Sequence, residues 1–301
     1  MPEESVQCVV TSPPYWGLRN YGKEEQLGLE KTPEEYVSNM VDVFSEIKRV
    51  LKNDGTVWLN LGDTYNANYR GGGVDTASKK QASNKGTIDF MAKKKIKVDG
   101  IKPKDLVGIP WMVAFALRAD GWYLRSDIIW EKPNCMPESV KDRPTRSHEY
   151  LFLLTKNGKY NYDLDAIREP YESSPSTQKV RDKHKEGYQA DFTKGDRFSP
   201  GARNYYTKGG RNKRTVWRVS TKPFKGAHFA TFPPELITPC ILAGCPVGET
   251  VLDPFGGSGT VSMVAEQLGR ASIYVDLNEK YREMAIERLK SANIDAEYVA
   301  I

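Results

Sequence analysis

The sequence predicts an α/β protein built on an open, largely parallel sheet. Three observations lead there. Short apolar runs alternate with helix-like segments along the chain, and that alternation implies parallel strands joined by crossovers. The first run, Val6 to Val10, leads into the stiff loop Thr11-Ser-Pro-Pro-Tyr-Trp16. A late run, Val251 to Asp253, leads into the glycine-rich turn Pro254-Phe-Gly-Gly-Ser-Gly-Thr260 and then a helix.

Taken in order, Val6 to Val10 reads as a buried strand. Pro33 to Leu51 reads as a helix with Thr32 at the N-cap, Pro33 at N1 and Glu35 at N3. Tyr36, Met40, Val43, Phe44, Ile47 and Leu51 form its apolar face. Asn53-Asp-Gly55 ends it, and Thr56 to Leu61 is the next strand. Thr64 to Lys104 is too polar and Gly-rich for core and reads as a mobile basic loop over the site. Asp105 to Arg118 reads as a helix, then Trp122 to Trp130 and Tyr150 to Thr155 as strands. Val261 to Leu268 is a helix stopped by Gly269, and Ala271 to Val275 is a further strand. No internal repeat is present.

A chain of 301 residues can bury a full α/β core and carry one smaller attached region. With 39 % hydrophobic residues, it has no run long enough to span a bilayer and no signal-peptide pattern at Met1, so a cytoplasmic protein is expected. Cys8, Cys135, Cys240 and Cys245 lack zinc-type spacing, and His148, His184 and His228 are scattered. No metal site is expected. Charge is unevenly spread. Thr64 to Lys104 holds 10 Lys/Arg against 3 Asp/Glu, and Leu164 to Thr215 holds 12 against 7. The rest of the chain is acidic. An acidic body with two basic additions suits a protein that contacts duplex DNA, whereas any single lysine, as in Lys79-Lys80 or Lys93-Lys-Lys95, reads better as a solvated loop charge.

The two loops carry the chemistry. Consecutive prolines fix φ, so the Pro13 carbonyl points in a set direction. A Ser-Pro-Pro-aromatic loop can grip a planar exocyclic amine, with a hydroxyl and a carbonyl accepting its hydrogens and a ring stacked on its face. The glycine-rich turn lets a ligand approach the backbone and aims helix N-terminal amides at it. Ser262 stands where the third glycine of the dinucleotide fingerprint belongs, and no Lys follows the glycines. Asp276 ends the next strand, 17 positions beyond Gly259, placed for ribose hydroxyls. A nucleoside without phosphates fits better than a dinucleotide or triphosphate.

Ser12 to Tyr15, with Phe255, Gly257 and Gly259, resemble the motifs of the amino-methyltransferases of DNA bases, in the permuted order of the beta class. Leu51 to Gly55 with its following strand, Gly121 to Asn134, Arg143 to Lys156 and His228 to Ile237 are also similar to that family. The resemblance implies a Rossmann-like S-adenosylmethionine-dependent methyltransferase sheet with an inserted target-recognition region. It divides the chain into a catalytic half (1–163), a target-recognition region (164–215) and a cofactor half (216–301). It implies that Ser12, Pro13, Pro14 and Tyr15 are catalytic, with Trp16 as an aid in stacking. S-adenosyl-L-methionine is the implied cofactor, held by Asp253, Phe255, Gly257, Ser258, Gly259, Thr260 and Asp276, with Thr231, Phe232 and Pro233 on its methionine part. The implied partner is double-stranded DNA, the base flipped out, and the implied assembly a monomer or homodimer.

Serine in the catalytic motif goes mostly with cytosine in this family, so N4-cytosine is expected ahead of N6-adenine. No Pro-Cys loop argues for carbon-5 chemistry. Family members carry a Gly-Asp-containing strand and helix ahead of the position of Met1, and this sequence opens on Met-Pro-Glu-Glu-Ser. A catalytically inactive DNA-binding relative and a protein or RNA amine methyltransferase stand as the other readings.

Overall fold

The computed structural model describes residues 1–18, 25–66, 100–170, 210–222 and 232–295. Seven strands form one sheet: β1 (Val6–Thr11), β2 (Leu51–Leu61), β3 (Tyr123–Glu131), β4 (His148–Thr155), β5 (Val216–Arg218), β6 (Thr250–Asp253) and β7 (Ala271–Tyr274). Their order is β5-β3-β4-β2-β1-β6-β7. β1 pairs in parallel with β2 on one side and β6 on the other, and β6 pairs in parallel with β7. β3 and β5 are parallel as well, while β4 runs antiparallel to both β2 and β3. The largely parallel sheet expected from the sequence is present, with one reversed strand.

Five α-helices are described: α1 (Pro33–Val50), α2 (Ile109–Ala119), α3 (Pro234–Gly244), α4 (Thr260–Gln267) and α5 (Glu279–Ser291). Every residue of β1 is buried, as expected for a central parallel strand covered on both faces. One face packs into a cluster with Tyr36, Met40, Phe44 and Ile47 of α1 and Val113 and Leu117 of α2. On the other, Thr56 Oγ1 lies 3.5 Å from Cys8 Sγ and from the Gly244 carbonyl of α3.

Several boundaries differ from the sequence expectation. α1 stops at Val50, and Leu51 already pairs with Val6 as the start of β2. Asn53-Asp-Gly55 therefore lies inside a strand whose register to β1 shifts, with Gln7 Nε2 donating to Asp54 Oδ1 at 3.1 Å. α2 begins at Ile109 rather than Asp105, because the Asp63 carboxylate accepts the amides of Gly108 and Ile109 from across the fold. The residues before it are tied elsewhere: Asn66 N donates to Asp105 O and Val107 N to Thr64 O. The two ends of the 64–104 segment are thus joined, and residues 67–99 lie outside the described ones. α3 and α5 were not expected. α3 carries Pro239 internally, and α5 buries only Ala285 and Leu289, so neither shows a strong apolar stripe.

Asp163–Arg214 forms a second compact unit, separate from Met1–Tyr162 with Thr215–Ile301. Among its described residues, Glu169 and Arg211 exchange both backbone hydrogen bonds. The Glu169 carboxylate also meets Arg211 Nε and Arg214 Nε at 3.3 Å and Lys213 Nζ at 3.7 Å. Part of the positive charge counted in this stretch is therefore matched internally. The aromatic residues from Tyr171 to Tyr206 fall outside the described residues.

The Thr32 cap is present as the sequence predicts: its hydroxyl accepts Glu35 N at 3.1 Å, and Glu35 reaches back to Lys31 N. Thr32→Ala is expected to lower stability by about 1 kcal/mol. A urea titration should show a lower midpoint at unchanged slope.

Candidate active site

The carboxyl ends of β1, β2, β6 and β7 meet at one edge of the sheet, and the reversed β4 starts there. Between β1 and β6 the strand order changes direction, and a crevice for ligands opens outside the strand ends at such a point. Ser12 follows β1 directly. Tyr36 Oη, from α1, donates to the Pro14 carbonyl at 2.9 Å and fixes the loop against that helix. Among the described residues, no donor engages the Pro13 carbonyl. Trp16 is 2 % exposed and its indole N–H donates to the Glu30 carbonyl at 3.1 Å. It is a packing residue, not the second stacking ring expected from the sequence.

Tyr15 is held at its hydroxyl. Its Oη lies 2.7 Å from Glu149 Oε2 and 3.0 Å from Asn60 Oδ1, and Ser12 Oγ donates to it at 3.4 Å. Asn60 is oriented in turn by its own donation to the Tyr150 carbonyl. Lys132 Nζ pairs with Glu149 Oε1 and sits 4.1 Å from the centroid of the Trp130 ring. The Tyr15 ring packs on Gly62, where an added Cβ would lie 2.5 Å from a ring carbon. Burial, with the Glu149 charge second, pushes the Tyr15 phenol well above its usual range. It is therefore a neutral hydroxyl that donates. Asn60, Glu149 and Lys132 carry no signal in the sequence beyond lying in or beside stretches similar to the family, because their contact depends on the reversal of β4.

On the other side of the crevice, Asp253 ends β6 and is 2 % exposed. Its Oδ1 accepts the Thr11 hydroxyl at 2.7 Å and the Phe255 amide at 3.1 Å. Oδ2 has no donor among the described residues. Burial raises this carboxyl to about 7, against those two hydrogen bonds. Asp276 is pushed up by burial too, while accepting the amides of Asn278 at 2.7 Å and Gly257 at 2.9 Å. Each of its oxygens keeps a lone pair for another donor.

Gly259 takes φ +72° as the N-cap of α4, and a Cβ there would meet Ala285 Cβ of α5 at 2.9 Å. Its smallness serves helix packing. The hydroxyls of Ser258 and Thr260 accept from Arg288 Nη1 at 3.0 and 2.8 Å, so their side chains brace the turn from behind.

These elements enclose a cavity of about 440 Å³, inside the usual range for small-molecule sites. Ser12, Pro14, Asp253, Phe255, Gly257, Ser258, Thr260 and Asp276 line it, as do Phe232 and the side chains of Val275, Leu277, Tyr281 and Met284. Glu25, Gln26 and Leu27 add a wall that the sequence did not flag. Pro233 is buried at the start of α3, and Thr231 lies outside the described residues. Most of the wall is apolar, yet besides Glu25 it holds the two buried acids Asp253 and Asp276, and no described Lys or Arg forms an ion pair with either of these two. Such a pair calls for a ligand with cationic and hydroxyl groups, which fits a positively charged nucleoside.

The Asp253 environment has a measurable cost. Its carboxyl is raised far above the ordinary value, so this group stabilises the fold fully below pH 4, and that contribution is lost as pH rises to about 7. Asp253→Asn is therefore expected to be more stable than the parent at pH 8, by on the order of 4 kcal/mol, with the gap closing toward pH 4. Melting temperatures across pH 4–8 check this; a gap that does not change with pH would contradict it.

Comparison with known proteins shows the family and the fold. A family model described as DNA methylase, of the N6/N4 methyltransferase type, matches residues 6–287. The chain is 48 % identical over 300 residues to the type II methyltransferase M.Cfr9I of Citrobacter freundii, covering 100 % of this chain and 86 % of that one. It is 49 % identical over 293 residues to M.XycI of Xanthomonas campestris pv. cyanopsidis, covering 97 % and 84 %. Among solved structures, the cytosine-N4-specific PvuII DNA methyltransferase superposes with a TM-score of 0.61 at 17 % identity, over 99 % of this chain and 83 % of that one. A putative DNA modification methylase of Thermus thermophilus, complexed with S-adenosyl-L-methionine, gives 0.55 at 23 %, over 97 % and 88 %. The fold is that of these methyltransferases, and the chain belongs to the N6/N4 DNA methylase family.

Proposed function

We propose that this DNA methyltransferase, a site-specific enzyme of the type II class, methylates the exocyclic N4 of a cytosine flipped out of duplex DNA. The observation that carries the reading is the meeting of Ser12 and Asp253 on the wall of one cavity, at the ends of adjacent strands. S-adenosyl-L-methionine supplies the methyl group from its sulfonium. Asp253, through the open Oδ2, takes the ammonium of the methionine part, and Asp276 accepts the ribose hydroxyls. Phe232 and Phe255 would pack on the ligand, beside the glycine-rich turn.

An aromatic amine is a poor nucleophile because its lone pair is delocalised into the ring. Ser12 Oγ and the unengaged Pro13 carbonyl accept its two hydrogens, which favours a tetrahedral nitrogen and frees the pair for in-line attack. Positioning supplies most of the acceleration. Tyr15, held by Glu149 and Asn60, presents its ring to the base. The serine motif favours cytosine, and the PvuII enzyme of the same fold is cytosine-N4-specific. The basic stretches within 64–104 and 164–215 serve the phosphate backbone and target recognition.

Duplex DNA treated with enzyme and cofactor, then digested to nucleosides, is expected to yield N4-methyldeoxycytidine by mass spectrometry, and Ser12→Ala to abolish it while remaining folded. N6-methyldeoxyadenosine would overturn the base assignment and leave the mechanism, whereas absence of any methylated nucleoside would return the inactive-relative reading.

For the cofactor, Asp276→Ala is expected to weaken binding by about 10- to 100-fold, or ~1.5–3 kcal/mol. Unchanged affinity in calorimetry would remove Asp276 from the ribose site.

A further inference from the structure

The hydrogen bonds leading away from Ser12 have a direction. Ser12 Oγ donates to Tyr15 Oη, and Tyr15 Oη donates to Glu149 Oε2. With Glu149 as the acceptor of the phenol, both donations run from the catalytic loop toward the carboxylate. The 3.4 Å first link is the long one, and such links tighten when substrate is bound. Asn60 Oδ1 is the alternative acceptor for the phenol, but Glu149 is nearer and charged, and charge-assisted bonds are the stronger. The far oxygen of Glu149 is already occupied by Lys132. With side chains 15 % and 18 % exposed, this pair is mostly withdrawn from water yet still reached by it.

We propose that Ser12, Tyr15 and Glu149 form a proton exit path from the methylated amine, with Glu149 as the terminal acceptor. The proposal rests on the amine methylation argued above and holds for either base. An amine that has received a methyl group carries one proton too many and a positive charge. The N–H electron pair stays on nitrogen as its lone pair, and the proton passes to Ser12 Oγ. Ser12's own proton moves to Tyr15 Oη, and the Tyr15 proton moves to Glu149 Oε2. The amine goes from +1 to neutral and Glu149 from −1 to neutral, while both hydroxyls end as they began. Lys132 keeps its charge throughout, and Glu149 returns the proton to solvent before the next turnover. Removing the proton as the carbon–nitrogen bond forms prevents the positive charge from building fully, so the acceptor acts on the rate.

Two variants of the full chain separate this from a holding role. Glu149→Gln keeps the size and an acceptor oxygen but lacks basicity, and Tyr15→Phe keeps the ring but cuts the path. Each is expected to slow single-turnover methylation by about 10²–10³, the double variant to be no slower than the singles, and the solvent deuterium isotope effect of the parent to disappear in all three. Duplex binding should stay near that of the parent. Without cofactor or DNA, NMR titration of ring-¹³C tyrosine should show the Tyr15 signal, identified by its absence in Tyr15→Phe, titrating at lower pH in Glu149→Gln. Parent-like rates in Glu149→Gln would overturn the proposal, as would a slow Glu149→Gln beside a fast Tyr15→Phe, or a double variant whose losses multiply. If Glu149→Gln fails to fold, the isotope effect in Tyr15→Phe decides: its loss supports the path and its retention overturns it. A parent enzyme that makes no methylated nucleoside would instead sink the underlying reading.

Discussion

The parallel pairing of β1 with β6 is the constraint on which the rest depends. These strands stand at opposite ends of the sequence, yet Cys8 and Val9 pair with Val251 and Leu252. That pairing sets the loop after β1 beside the turn after β6, and the Thr11–Asp253 hydrogen bond locks the two strand ends together. Helices on both faces leave β1 without solvent contact, so the register cannot slip without exposing apolar side chains. The reversed β4 then becomes informative. Only an antiparallel neighbour brings the start of a strand, and so Glu149, to the edge where its neighbours end.

The cavity and the Tyr15 cluster differ in charge balance. Around Asp253 and Asp276, carboxylates face an apolar wall without a paired cation among the described residues, and burial holds both above their usual range. Around Tyr15, the one carboxylate is matched by Lys132. The first arrangement awaits a positive ligand, and the second is complete before any ligand arrives. A single edge of the sheet thus offers a cation-seeking pocket beside a pre-set neutral hydroxyl, a preorganised pairing that avoids rearranging polar groups during reaction.

Much of this was legible in the sequence, for reasons that can be named. The loop and the turn are local: prolines, glycines and the Thr32 cap declare themselves within a few residues. Most strand positions, much of the α1 face and the placement of Asp253 and Asp276 followed from that, whereas the short β5 and the first half of β2 did not. What escaped was nonlocal. Asp63 caps α2 from a distant strand end, so Asp105 to Gly108 looked helical. Arg288 braces Ser258 and Thr260 from α5, a helix with only two buried residues. The same nonlocality explains why Trp16 is a buried packing residue whose indole donates to the Glu30 carbonyl.

The placement of β1 has a consequence for biosynthesis. It lies far ahead of β6 in the chain and is an inner strand of the finished sheet, so its β6 side stays bare until residues near 250 are made. An apolar strand with an open edge is a template for unwanted pairing. Domains emerge at roughly 5–20 residues per second, so that edge stays open for some tens of seconds. α1, the next element described after β1, buries Tyr36, Met40 and Phe44 and is the earliest of the described elements able to shield one of its faces, while the edge itself stays open until β6 is made.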